Sequence, residues 1–192
     1  MSEHPCELRP EYPVQTPRLR LRPLTDADAD ALLAYRSVPE LCRYVPFEPM
    51  DRAEIDRRLA TMWATTALTD EGQGLTLGVR LAATGELVGD VLLFWRSRVH
   101  RSGEVGYMLN PAFGGQGYAT EATEALLRLG FEDLRLHRIT AHVDERNVAS
   151  ARVARRLGMR LEARLVENEF FKGGWSTELD FALLAHEWAA RR

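Results

Sequence analysis

Apolar and polar positions change period several times along this chain, and each change predicts an element. Arg18-Leu19-Arg20-Leu21-Arg22 alternates charged and apolar residues, which predicts a strand with one buried face. Residues 25–35 follow a helical period, with Thr25 and Asp28 spaced as a capping box. Pro39, Pro46 and Pro49 make residues 36–50 mostly loop. Asp51 is placed to cap a second helix that turns Ile55, Leu59 and Met62 to one side. Leu75, Leu77, Val79 and Leu81 alternate as a strand, Thr84-Gly85 turns the chain, and residues 86–95 and 103–109 predict two more strands. Their short connections predict an antiparallel meander.

Past residue 110 the pattern changes. Gly114-Gly115-Gln116-Gly117 is a glycine-rich loop that opens a helix over 118–133, with Ala122, Ala125, Leu126 and Leu129 inward. Ile139, Ala141 and Val143 alternate with Thr140 and His142 in a strand over 138–143, and His142 is expected to point into packing. Asn147 is placed to cap a helix over 147–157 that Gly158 stops. Residues 160–171 and 176–184 predict two final strands, and 187–192 a short terminal helix. The prolines at 5, 10 and 13 predict an irregular arm over 1–15, and the whole reads as one mixed α/β domain over 1–192.

Composition narrows the function classes. The 192 residues are 45% hydrophobic and 28% charged, as in an ordinary globular protein. No apolar run is long enough for a membrane-spanning helix, and Met1-Ser2-Glu3-His4-Pro5 does not resemble a signal peptide. Cys6 and Cys42 fit neither a disulfide framework nor a metal cluster, which points to a reduced, cytoplasmic protein. His100, His137 and His142 have no metal-ligand spacing, so no metal is expected. The net charge of −3 gives no footprint for nucleic acid or a membrane surface. The sum conceals a basic stretch, however. Residues 135–164 hold eight arginines against Asp144, Glu145 and Glu162, which is either a solvated face or an anion site.

The glycine loop suggests an anion ligand. Strand, glycine loop and helix in succession present free amides and the positive end of a helix dipole, which suit phosphate. A chain reversal would use the same glycines. No lysine is near, which excludes a Walker loop, and Thr120 stands where a dinucleotide fingerprint needs its third glycine. The string Gly115-Gln116-Gly117-Tyr118-Ala119-Thr120-Glu121-Ala122 resembles instead the acyl-coenzyme A signature of the GNAT superfamily of N-acetyltransferases, in its RimJ/RimL branch. Gly114 departs from that signature, which has Gln or Arg there. Further segments carry the likeness in order: Thr16-Pro17-Arg18-Leu19, Arg43-Tyr44-Val45-Pro46-Phe47, Glu104-Val105-Gly106-Tyr107, Asn147 with Ser150, Leu157-Gly158-Met159, and Phe170-Phe171-Lys172-Gly173.

The resemblance implies a GNAT fold. Its central sheet is mixed and mostly antiparallel, with about seven strands flanked by about four helices and a splay between the fourth and fifth strands. It implies acetyl transfer from acetyl-CoA to a primary amine, such as a protein N-terminus or a small-molecule amine, by direct attack in a ternary complex. It places pantetheine along Tyr107, Met108 and Leu109. The pyrophosphate falls on amides of Gly114, Gly115, Gln116, Gly117, Tyr118, Ala119 and Thr120, Asn147 suits a pantetheine amide, and Ser150 and Arg152 are further cofactor contacts. Asn147 would serve equally well as a plain helix cap. Glu104 and Glu169 are the candidate bases, and Ser150 is the candidate partner of the leaving sulfur, because Ala154 occupies the position where many members carry a tyrosine acid. Residues 36–50 and 165–178 are expected to wall the acceptor pocket, with Tyr44, Phe47, Trp95, Phe170 and Trp175 as apolar surface. A homodimer is a family-level expectation. The alternative is a non-catalytic acyl-CoA-binding sensor or scaffold, for which the glycine loop would serve as well.

Overall fold

The computed structural model describes residues 7–191. The expectations about the first five residues, the state of Cys6 and the end of the terminal helix at Arg192 lie outside these residues. Eight strands and six helices form among the described residues: β1 (Val14–Gln15), β2 (Leu19–Pro23), α1 (Ala29–Arg36), α2 (Pro39–Cys42), α3 (Arg52–Ala60), β3 (Gly74–Leu81), β4 (Leu87–Ser97), β5 (Ser102–Leu109), α4 (Tyr118–Arg128), β6 (Arg138–Asp144), α5 (Val148–Arg156), β7 (Arg160–Phe171), β8 (Gly174–Leu184) and α6 (Ala185–Ala189).

The strands make one sheet in the order β1-β2-β3-β4-β5-β6-β8-β7. All pairings are antiparallel except β5 with β6. The class is the α+β one expected. The count rises above seven because two residues inside the proline-broken arm pair with β2, Val14 opposite Leu21 and Gln15 opposite Arg20. The loop over 36–50 also contains one helical turn, α2, which starts at Pro39, a position where a missing N–H costs nothing. The helix expected over 118–133 is regular only to Arg128. Its last turn widens, and the Leu134 N–H reaches back to the Leu129 carbonyl at 2.9 Å.

Period two decides what each face of the sheet carries. Leu75, Leu77 and Val79 of β3, Val91, Leu93 and Trp95 of β4, Val105 of β5, and Ile139 and Ala141 of β6 point to one side. There they meet Ala122, Leu126 and Leu129 of the α4 segment and Ala151 and Ala154 of α5 in the larger core. Trp95 is therefore core, contrary to its expected place in an acceptor wall. The opposite face packs against α1 and α3 through Leu32, Tyr35, Ile55, Leu59 and Trp63, a smaller core that Met108 joins. This face is polar in places. Asp90 sits on it, 3% exposed, held by the Arg36 Nε at 3.1 Å, a second Arg36 nitrogen and the Tyr35 hydroxyl at 2.5 Å. Burial and the Asp90 charge push the Tyr35 hydroxyl well above its ordinary value. Burial alone would lower the Arg36 guanidinium, but Asp90 outweighs it and the net shift is upward.

Candidate active site

The parallel pair β5 and β6 is joined only at Ser102–Arg138, Gly103–Ile139 and Glu104–Thr140. Beyond Glu104 the two strands diverge, with β5 running on to Leu109 and β6 to Asp144. The splay expected between the fourth and fifth predicted strands is therefore present, and it opens a cleft of about 890 Å³ on the polar face. Glu104, Tyr107, Met108, Asn147, Ser150 and Glu169 all border this cleft. Leu109, Arg152 and the run from Gly114 to Thr120 do not.

The glycine loop leaves the end of β5. Gly115 and Gly117 have φ of +77° and +82°, a left-handed conformation that a side chain would strain. Gly117 is the residue before α4 and has no side chain to cap it, so the first α4 amides are not taken up by the protein in that way. Arg18 braces the loop from outside. Its Nη1 donates to the Gln116 carbonyl at 3.0 Å, its Nε to Glu121 at 2.6 Å, and its guanidinium lies 4.7 Å from the centre of the Tyr118 ring. Burial pushes Glu121 up, but hydrogen bonds from Thr16 and Arg18 outweigh this and hold its carboxyl below the usual range.

At the α5 start, the Asn147 side-chain oxygen accepts the Ser150 N–H at 3.1 Å. It is thus a helix cap, and only its NH₂ is left to meet a ligand. The Tyr107 hydroxyl donates to the Ser150 carbonyl at 2.7 Å, a bond that spans the splay and fixes Ser150 relative to β5. Burial pushes the Tyr107 hydroxyl up, so it stays protonated to donate. The Ser150 hydroxyl borders the cleft and has no hydrogen-bond partner among the described residues.

Half of the arginines in the basic stretch are neutralised. Arg138 pairs with Glu162, Arg146 with Asp144, Arg160 with Glu162 and Glu187, and Arg164 with Glu145. Arg152, Arg155 and Arg156 on α5 and Arg135 are exposed, without an ion pair among the described residues. The anion reading narrows to α5.

On the other side of the cleft, Tyr44 and Phe47 line it as expected, whereas Phe170 and Trp175 form an exposed edge-to-face pair at 5.5 Å that does not. Phe171 lines it instead. Lys172, the one lysine in the chain, ties these two walls together: its Nζ donates to the carbonyls of Cys42 at 2.6 Å and Phe47 at 2.7 Å.

Glu104 is not free. Arg96 of β4 donates to its Oε2 from Nε at 2.8 Å and from a second nitrogen. His142 corrects the sequence reading. It is exposed rather than packed, borders the cleft, and its Nδ1 lies 2.7 Å from Asp180 Oδ1, 3.7 Å from Glu178, with Nε2 3.9 Å from Glu104. The reason is the alternation itself: Ile139, Ala141 and Val143 take the core side, so Thr140 and His142 must take the cleft side. Asp180 and Glu178 share that side on β8, opposite His142 and Asp144. Their contact with His142 is not legible in the sequence, because β8 meets β6 across 38 residues. Burial, Asp180 and Glu169 push the Glu178 carboxyl up, against the pull of His142. Donor atoms of His142, Glu178 and Asp180 lie within 4.8 Å of one another, the set that could hold a cation. The 2.7 Å contact between Nδ1 and Oδ1 is a hydrogen bond, which a metal would have to break.

A polar cleft over a splayed parallel pair, fed by an uncapped glycine loop, is matched by a known family. The model of the Acetyltransferase (GNAT) domain fits residues 18–160. The chain belongs to the GNAT acetyltransferase family. An uncharacterized N-acetyltransferase, YoaA of Bacillus subtilis, is 32% identical over 84% of this chain and 91% of its own. The crystal structure of a GNAT-family acetyltransferase from Bacillus anthracis superimposes with a TM-score of 0.80 at 27% identity, covering 90% of this chain and 98% of that one. At 23% identity, spermidine N-acetyltransferase from Vibrio cholerae in complex with CoA and spermine shares the fold, with a TM-score of 0.77 over 91% of this chain and 99% of that one. No helix among the described residues of this GNAT protein is long and apolar enough to cross a membrane.

Proposed function

We propose that this GNAT chain is a single-domain, cytoplasmic enzyme of the RimJ/RimL type. It moves an acetyl group from acetyl-CoA to a primary amine by direct attack in a ternary complex. The observation that carries the reading is the convergence of Glu104, Ser150 and Glu169 on one cleft beside the splay of β5 and β6. A sensor would need the glycine loop but not this convergence of polar side chains.

The residues fit acetyl-CoA. The left-handed Gly115 and Gly117 and the uncapped α4 amides form a cradle that suits a pyrophosphate. Arg152, Arg155 and Arg156 supply positive charge outside it. Past Glu104 the β5 edge has lost its partner strand, so backbone groups from Tyr107 to Leu109 are open to pantetheine amides, with the Asn147 NH₂ as a further donor. The bound thioester supplies an activated acyl group. The chain supplies orientation, a proton acceptor for the incoming ammonium and a donor toward the leaving sulfur. Ser150 is the donor in this reading, since its hydroxyl is unclaimed and its backbone is pinned by Tyr107.

The acceptor enters between the 43–47 segment and the β7–β8 hairpin, where Glu169 and Glu178 favour a cation. A polyamine and a protein N-terminus both meet that requirement. The test is thiol release from acetyl-CoA across a panel of amines and N-terminal peptides. Ser150→Ala is expected to lower kcat about 10-fold while leaving the dissociation constant for CoA unchanged. CoA binding without turnover on any amine would leave the sensor reading.

A further inference from the structure

Deprotonating the amine needs a base with a lone pair facing the cleft and nothing else bound to it. Glu104 meets it at one oxygen only, because two Arg96 nitrogens already occupy its Oε2. Resting on the acetyl-transfer reading, we propose that His142 is the general base of this enzyme and that Asp180 is its positioning residue.

Three observations on the page support the assignment. The first is orientation. A carboxylate oxygen accepts, so the 2.7 Å contact with Asp180 Oδ1 assigns the imidazole proton to Nδ1. Nε2 is then the acceptor nitrogen, and it is the one turned toward Glu104, at 3.9 Å, beyond hydrogen-bond range. An oriented imidazole with an open nitrogen is the arrangement that general-base chemistry requires. The second is placement. His142 stands two residues past Thr140, the last β6 residue paired to β5, so its ring sits where the strands part and where the acyl group would lie along β5. The third is surroundings. The charged groups facing the ring are Arg96, Glu104, Arg138, Glu169, Glu178 and Asp180, from β4, β5, β6, β7 and β8. Arg96 and Arg138 are each engaged, by Glu104 and Glu162. That leaves Glu169, Glu178 and Asp180 to draw in an ammonium and to offset the charge of an imidazolium.

The step balances. The acceptor ammonium gives one proton to Nε2. Its freed lone pair forms the C–N bond, the C–S bond breaks with its electrons on sulfur, and the second nitrogen proton ends on that sulfur. His142 then returns its proton to water. One amide, one thiol and one proton result.

The experiment uses the full chain and an amine found active in the panel. His142→Gln is expected to lower kcat about 100-fold or more, with CoA affinity and melting temperature unchanged. His142→Ala is expected to regain activity with added imidazole. Asp180→Asn is expected to lower kcat about 10-fold with a smaller effect on KM, since Asp180 orients the ring while Glu169 and Glu178 remain to attract the ammonium. If wild type turns over but His142→Gln keeps its kcat, or His142→Ala is not rescued by imidazole, the base is another group and this inference falls alone. If chelation abolishes wild-type activity and a divalent cation restores it, the cluster is a metal site and the inference also falls. If wild type releases no thiol with any amine, the acetyl-transfer reading itself falls and takes the inference with it.

Discussion

The glycine-loop end of the molecule and the cleft beside it are built on different principles. At the glycine-loop end, the useful groups are backbone amides and one helix cap, supplied by two continuous segments, 107–120 and 147–156. In the cleft, proposed above as the acceptor end, the groups are side chains from α1, the 43–47 segment, β4, β5, β6, β7 and β8. The first end needs little tertiary support for its local geometry, because a left-handed glycine and an Asn cap make it on the spot. The second exists only when the sheet is assembled, and it rests on a buried ion pair between Arg36 and Asp90, with side chains only 6% and 5% exposed. Single substitutions should therefore damage the acceptor end through folding and the glycine-loop end through ligand affinity.

The largest effect should come from beneath the acceptor end. Asp90→Ala strands the buried Arg36 guanidinium and is expected to lower unfolding free energy by about 3–5 kcal/mol, read by urea denaturation. The double variant with Arg36→Met should recover most of the loss. A single variant as stable as wild type would break the contrast between the two ends. Asn147→Ala comes next. Losing the bond to the Ser150 N–H is expected to cost about 1 kcal/mol of stability and to weaken CoA binding besides. The same loss of stability without any change in CoA affinity would make Asn147 a cap alone. The smallest effect is expected from the α5 arginines. Arg152→Ala, Arg155→Ala or Arg156→Ala should each raise the dissociation constant for CoA a few-fold, consistent with about 0.5–1 kcal/mol for an exposed charge. The change should be larger than for CoA lacking its 3′-phosphate and should shrink with added salt. Equal effects on both ligands would return these arginines to a solvated face.

Legibility in the sequence follows the same division. The strands at 19–23, 74–81 and 102–109 showed as alternation, the loop as clustered glycines, and α5 as an Asn cap with a Gly stop. Glu104, Ser150 and Glu169 were singled out by resemblance, and all three border the cleft. The reading of the aromatic residues fared worse. Trp95 and Phe47 both read as apolar surface in sequence, yet Trp95 points from β4 into the core and Phe47 lines the cleft from the loop before α3, which only tertiary packing decides. The arginines of 135–164 looked like one basic block. Half of them are paired to acids, and two of these pairs, Arg138 with Glu162 and Arg160 with Glu187, join residues 24 and 27 apart that only the folded chain brings together.

The sequence by itself determined the order of elements, the class of the fold, the glycine cradle and the family, because each rests on neighbours a few residues apart whose period or φ is set locally. Tertiary structure decided where β5 and β6 part, which of two carboxylates is already engaged by an arginine, and that His142 meets Asp180 across the β6–β8 ladder. The physical reason is sheet register. Alternation assigns a side chain to a face, but only strand pairing brings it against the partners that give it a chemical role.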